Sequence, residues 1–383
     1  MKTIPFRENP SLATSCGGAR GRCSWRRPIR SAVRARLGRR EASHAARGLA
    51  ACLGATLVAL SVAGRTPAAD AFAQNRKLGR GVNILGYDRI WRSRDQARFQ
   101  ERYFGMLREA GFQSVRINLH PFRHMDPAQD HKLSDSWWSV LDWAVENALE
   151  SELMLILDMH EFGAMGNEPE ANKERFLAFW RQVAEHFREA PDRVLFEVLN
   201  EPSRRLTAEL WQQYCREALN IIRQSNPTRT VIIGPAEYNA INGLAQLELP
   251  ADDRNLIVTV HYYSPMDFTH QGASWAGRKD KTGVEWLGTD EEKAAVRRDF
   301  EKAQTWARER ERPLLLGEFG VYDAAPIESR VRYLEFVARC AEEMGWSWAY
   351  WQFDSDFLLY FVERDSWNKP VLRALIPEEG AEP

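Results

Sequence analysis

The chain has 383 residues and a formal net charge of −1, an average that hides an uneven distribution. Residues 1–50 hold twelve Lys or Arg against two acids, Glu8 and Glu41, and residues 51–73 balance, so the remainder carries eleven excess negative charges. Such a body lacks the clustered Lys/Arg that phosphate binding needs, which argues against a nucleic-acid footprint, and 44% hydrophobic residues argue for a folded protein.

At the start of the chain, residues 49–64 (LAACLGATLVALSVAG) form an apolar run behind an Arg-rich stretch. Ala71-Phe72-Ala73 then offers small residues at −3 and −1 of a cut before Gln74. That order is the one of a secretory signal, which assigns 1–73 to a basic leader and 74–383 to a secreted or periplasmic body. A retained membrane anchor is the alternative, disfavoured because the run is short for a spanning helix. Arg39-Arg40 and Leu49-Ala50-Ala51-Cys52 imitate twin-arginine and lipobox signals, but the first continues poorly and the second precedes the apolar run. Removing the leader takes Cys16, Cys23 and Cys52 with it. Cys215 and Cys340 remain, read as buried free thiols, and there is no Cys/His array with metal spacing.

From about residue 78 short apolar runs alternate with amphipathic ones. The runs 81–85, 114–119, 153–160, 194–200, 230–234, 256–263, 313–319 and 346–353 have the length and apolar content of buried parallel strands. Between them, 95–110, 135–150, 172–189, 207–225, 291–310 and 327–344 carry apolar residues at helical spacing. Ser134 and Thr207 read as N-caps and Gly111 and Gly345 as helix stops. The fifth connection, 237–249, is short and its helix doubtful. Eight strands separated by helices predict a single (β/α)8 barrel. A doubly wound open sheet is the alternative, weakened because no Gly-rich phosphate fingerprint follows the first strand.

In such a barrel the functional groups sit where strands end. Those positions hold Asn83, Arg116, His120, His160, Asn200, Glu201, His261, Tyr263, Glu318 and Trp351. A buried strand end gains nothing structurally from a carboxylate. Glu201 after the fourth strand and Glu318 on the seventh would face each other across the mouth, as in glycoside hydrolysis. One acid must be protonated to assist the leaving oxygen, and the other ionised to attack or to activate water.

The run Leu199-Asn200-Glu201-Pro202, with Glu318 in GEFG, resembles the cellulase-like glycoside hydrolases of family 5 over about residues 78–375. The resemblance implies that Glu201 is the acid/base and Glu318 the nucleophile of a double displacement with retention. It implies that Arg116 orients the nucleophile, Asn200 bonds the sugar 2-hydroxyl and Tyr263 supports Glu318. His160 and His261 match histidines of the third and sixth strands, and Trp351 the platform under the sugar at the cut. Retention requires the two carboxyl groups roughly 5–5.5 Å apart. No metal or organic cofactor is implied.

Other residues are read with less at stake. His120 and His124 are expected on a solvated loop. The long segment after the sixth strand, with His270, Gln271, Trp275 and Trp286, is expected to form a lid or subsite wall, with Trp275 touching sugar. Asp354 and Asp356 are open between binding a hydroxyl and capping their loop. Trp137, Trp138 and Trp143 are expected to pack. The thirteen Trp after residue 73 only incline the reading toward a sugar or base ligand. The expected substrate is a β-1,4-glucan cut internally, with β-1,3-glucan, β-mannan and β-glucosides as alternatives within the family, and a silent sugar-binding barrel as the non-enzyme alternative. A monomer with an oligo- or polysaccharide partner, and no membrane span after processing, completes the expectation.

Overall fold

A computed structural model of the chain describes residues 70–377. The barrel strands are β1 Arg80–Ile84, β2 Ser114–Leu119, β3 Met154–Met159 and β4 Val194–Glu197. They continue as β5 Val231–Ile233, β6 Leu256–Tyr262, β7 Leu314–Phe319 and β8 Ser347–Tyr350. All pair in parallel, and β8 returns to β1, so the sheet closes into a barrel. Nearly every strand residue is buried, as expected where helices cover one face and the barrel interior the other.

The helices are α1 Ala71–Leu78, α2 Arg102–Glu109, α3 Asp135–Glu150, α4 Phe162–Asn167 and α5 Pro169–His186. α6 Ala208–Ser225, α7 Met266–Thr269, α8 Asp290–Arg310, α9 Ile327–Glu343 and α10 Lys369–Leu375 follow. Ser134 and Thr207 cap α3 and α6 through their hydroxyls, and Gly111 and Gly345 take the left-handed backbone (φ 103° and 77°) that ends a helix. The doubtful connection after β5 is a 3-10 turn, Ile241–Gln246. α2 is shorter than its periodicity predicts. The Asp88 carboxylate accepts the N–H groups of Arg98 (3.2 Å) and Phe99 (2.8 Å), which holds this stretch out of the helix.

α1 closes the bottom of the barrel. Ala71 and Leu78 join Met154, Ile156, Leu195, Ile232, Ile257 and Leu315 in one apolar cluster. The Asn75 amide donates to Leu314 O (3.0 Å) and accepts from the Ser347 hydroxyl (2.7 Å), satisfying strand starts that have no neighbour below. The expected cut before Gln74 falls inside α1, whose Ala71 is 1% exposed. The leader upstream of residue 70 lies outside the described residues. Among the described residues no helix is long and apolar enough to cross a membrane. Cys215 and Cys340 are free and buried.

Candidate active site

Strand register determines which side chains meet. Asn83 lies opposite Arg116, and Asn118, Asp158 and Glu197 lie side by side on β2, β3 and β4. Five polar residues from four adjacent strands thus form a buried layer just under the mouth. Arg116 sits fully buried at its centre. Its guanidinium forks onto Glu197 (Nε to Oε2 2.7 Å, Nη2 to Oε1 2.8 Å) and donates to Asn83, Asn200 and Glu318, each at 2.8 Å. Asp158 lies 3.1 Å from the same group. One permanent cation faces three carboxylates, so burial raises Asp158 and Glu197 even as Arg116 lowers them.

The histidines and Asn200 are oriented by this layer. Asp158 accepts from His160 Nδ1 (2.6 Å), which leaves Nε2 as a lone pair facing the Asn200 amide nitrogen at 3.4 Å. The Asn200 oxygen is committed to Arg116, so its second amide hydrogen is the free donor at the mouth. His261 Nδ1 faces Glu201 Oε1 at 2.9 Å, and its Nε2 meets the Asn239 amide at 3.2 Å. A register slip between Val260 and His261 aligns His261 with Glu318 across β6 and β7. Gly317 permits that approach, because a Cβ there would stand 2.3 Å from Thr259 Oγ1.

Glu201 and Glu318 differ in their surroundings. Glu318 accepts from Arg116 and from the Tyr263 hydroxyl (3.0 Å), whereas Glu201 faces His261 and no permanent cation directly. Glu201 also sits on left-handed backbone, with φ 45°. Burial pushes Glu201 up to about 8 and Glu318 up to about 7. His261 opposes the rise at Glu318 first, then Arg116, and so Glu318 is the acid that ionises and Glu201 the one that keeps its proton. Ring nitrogen and carboxylate oxygens of Glu201, His261 and Glu318 lie within 4.8 Å of one another. Three such ligand atoms could share a cation, but Arg116 already places a permanent positive charge on Glu318, which opposes a second one.

A cleft of about 970 Å3 opens above this layer. Trp351 forms part of its wall and lies parallel to the His160 ring (5.4 Å, 9°). On the segment after β6, Gln271 is buried and bonds Phe268 and Val284, and Trp286 packs against Tyr333. These residues fix the loop, which presents Met266, His270, Ala276 and the 61%-exposed Trp275 to the cleft. Trp137 is buried, Trp138 stacks on His186, and Trp143 packs against Phe104. Asp354 is buried and clamped to Arg98, while Asp356 lines the cleft.

The solvated loop expected around His120 is corrected. His120 Nε2 is enclosed without a partner, and its ring stands edge-on to His160 at 5.1 Å. Burial lowers it to about 3, so it is neutral. His124 Nε2 is enclosed as well. The turn Phe122–His124 is pinned, the Phe122 N–H donating to Glu161 (2.7 Å) and its carbonyl accepting from Arg175 (2.7 Å), and Gln182 of α5 bonds the hairpin after it at His131 O and Leu133 N–H, where the sequence suggested an open loop. Sequence reasoning missed Asp158, Glu197, Asn118 and Asn239. A charge inside the apolar runs LILDM and VLFEV was the available signal for the first two.

Residues 76–356 match the model of the family described as Cellulase (glycosyl hydrolase family 5). Endoglucanase H of Acetivibrio thermocellus is 32% identical over 323 residues, 80% of this chain, and this chain spans 34% of that relative's own length. Endoglucanase Cel5A of Thermotoga maritima superposes with a TM-score of 0.75 at 38% identity, over 80% of this chain and all of that one. A structure of the same Thermotoga enzyme in complex with mannotriose is similar too, with a TM-score of 0.76 at 37% identity and the same coverage. With the barrel, the facing carboxylates and a family match over most of the body in agreement, the chain belongs to glycosyl hydrolase family 5.

Proposed function

We propose that the chain is a retaining endo-β-1,4-glucanase that acts on soluble or short β-glucans. The observation that carries this reading is the closeness of Glu201 and Glu318, an oxygen of each lying within 4.8 Å. Inverting enzymes leave roughly 6.5–9.5 Å between carboxyl groups for a water, whereas retaining enzymes bring the nucleophile to the sugar itself. Glu318, ionised against Arg116 and Tyr263, attacks the anomeric carbon while Glu201 gives its proton to the leaving oxygen. Glu201 then takes a proton from water, whose oxygen displaces Glu318 and releases the sugar with its configuration retained. Trp351 offers a flat face under the sugar, and the free Asn200 donor reaches its 2-hydroxyl. The cleft runs past the carboxylates on both sides, from Tyr87 and Phe357 to Arg204 and Tyr238, which suits internal cleavage of a chain.

β-Mannan is the second reading, supported by the mannotriose complex of the Thermotoga relative. A panel of barley glucan, carboxymethyl-cellulose, mannan, laminarin and aryl β-glucosides tests both, with Glu318→Ala as control. Activity on the β-1,4-linked glucans that the control loses supports the reading. Activity on laminarin alone overturns the substrate. Export of the body is part of the same proposal and rests on the order of basic, apolar and small residues in the leader. N-terminal sequencing of exported protein checks it, an intact leader being the contrary result.

A further inference from the structure

β1 and β8 are the first and last strands of the barrel, and no loop joins one to the other. They pair at Arg80–Trp348, Gly81–Ala349 and Val82–Tyr350, and above these the Phe353 N–H donates to Asn83 O (3.1 Å). The loops that follow both strands line the cleft, Tyr87 on the first and Trp351 and Asp356 on the last. The Tyr87 ring stands edge-on to Trp351 (6.3 Å, 83°) and tilted against His120 (5.5 Å). Tyr87 is 58% exposed, so packing alone does not set its place.

The loop that carries Tyr87 is folded around one carboxylate. Leu85 leaves β1 on left-handed backbone (φ 65°), and its carbonyl accepts from Trp91 Nε1 (2.7 Å). Asp88, next to Tyr87, accepts the N–H groups of Ile90 (2.7 Å), Arg98 (3.2 Å) and Phe99 (2.8 Å), which brings position 98 back beside position 88. From there the Arg98 guanidinium reaches across the seam. It donates to Asp354 O (3.3 Å) and to Glu363 Oε1 (2.9 Å), and lies 3.7 Å from the Asp354 carboxylate. Three acids thus share one cation. Burial pushes Asp354 up to about 6, with Arg98 opposing and Asp88 and Glu363 adding to the rise. Without Arg98 these like charges would push the two loops apart instead of holding them together. A guanidinium suits the place because it offers several donors at once, to a carbonyl and to carboxylates. None of these groups belongs to the layer around Arg116.

We propose that Arg98 is a positioning residue for the glucanase activity proposed above, on which this inference rests: by tying the loop after β1 to the loop after β8 it holds Tyr87 against Trp351, so that a glucan chain meets one continuous wall. The test uses cellopentaose and the full-length chain. The leaving group is then an unactivated sugar, so bond cleavage is slow and KM follows binding. Arg98→Met is expected to raise KM on the order of tenfold and to leave kcat within about threefold, since the carboxylates at the cut are untouched. In a Tyr87→Ala background the same substitution is expected to raise KM by less than about twofold, because the residue it acts through is gone. Asp354→Asn keeps the shape of its side chain and strands no buried charge. It is expected to raise KM by about threefold, and it decides the question if Arg98→Met does not fold. A fall in kcat with KM unchanged, the mark of fewer folded molecules, would reduce the clamp to a structural role and overturn the proposal. So would a rise in KM as large in the Tyr87→Ala background as without it. Failure of the glucanase reading has its own signature: the unmodified chain then leaves cellopentaose intact, and the clamp has no such reaction to serve.

Discussion

At the bottom of the barrel Ile156, Leu195, Ile257 and Leu315 close against Ala71 and Leu78 in an apolar cluster. Two to four residues further along the same strands, Asp158, Glu197, His261 and Glu318 surround one buried guanidinium. The lower end is stabilised by removing apolar surface from water, which any well-fitting side chains can do. The upper end confines charges that water would solvate better, and it holds together because each carboxylate has Arg116 or a histidine to answer it. Each of these four strands therefore changes task within two to four residues. The bottom supplies stability that the mouth consumes, and the mouth supplies the chemistry.

Substitutions at the two ends should separate these contributions. The largest effect is expected at Glu201. Glu201→Ala should lower kcat/KM on β-glucan by on the order of 10²–10⁴, the usual range for a lost general acid. The loss should be smaller for a dinitrophenyl aglycone, which leaves without a proton. Kinetics on both substrates check it.

Arg116→Met should follow. It strands Asp158, Glu197 and Glu318 without their cation, and removing one partner of a buried ion pair costs about 3–5 kcal/mol. Both Tm and activity should drop, and the comparison would fail if either survived alone. Leu195→Ala at the bottom should cost about 2–5 kcal/mol through lost contacts and a cavity. Here Tm should fall while kcat/KM at a temperature below the transition stays close to that of the unmodified enzyme. A matching loss of kcat/KM would break the division between the ends.

The pH dependence is the finer probe. The proposed mechanism needs Glu318 ionised and Glu201 protonated, so kcat/KM should rise as Glu318 loses its proton and fall as Glu201 loses its own. Burial pushes the two to about 7 and about 8, which gives a narrow bell near neutral pH with roughly tenfold loss per pH unit outside it. Glu201→Gln should abolish the alkaline limb and leave the acid limb in place. An alkaline limb that persists would assign it to another group.

The barrel was legible because its signals are local. Apolar runs of strand length alternate with helical periodicity, and caps such as Ser134 and Thr207 need only neighbouring N–H groups. The candidate site was legible where a polar residue interrupts an apolar strand end, as at Glu201 and Glu318. Asp158 and Glu197 escaped for the same reason in reverse. Each is one polar letter inside a strand, and only the register of β2, β3 and β4 shows that they share Arg116. α1 escaped because its docking depends on the barrel floor and not on its own weak periodicity. His120 was misread because the turn Phe122–His124 that follows it is held by bonds to Glu161 and Arg175, which no local apolar pattern announces.

The central claim, that Glu318 is the nucleophile of a retaining reaction, is tested most directly by trapping. Incubation with 2,4-dinitrophenyl 2-deoxy-2-fluoro-β-cellobioside slows both steps, and the activated leaving group lets the covalent intermediate accumulate. Peptide mapping by mass spectrometry should find one fluorocellobiosyl group, on Glu318. A label on any other residue, or turnover of glucan with inverted product and no label, would contradict the account.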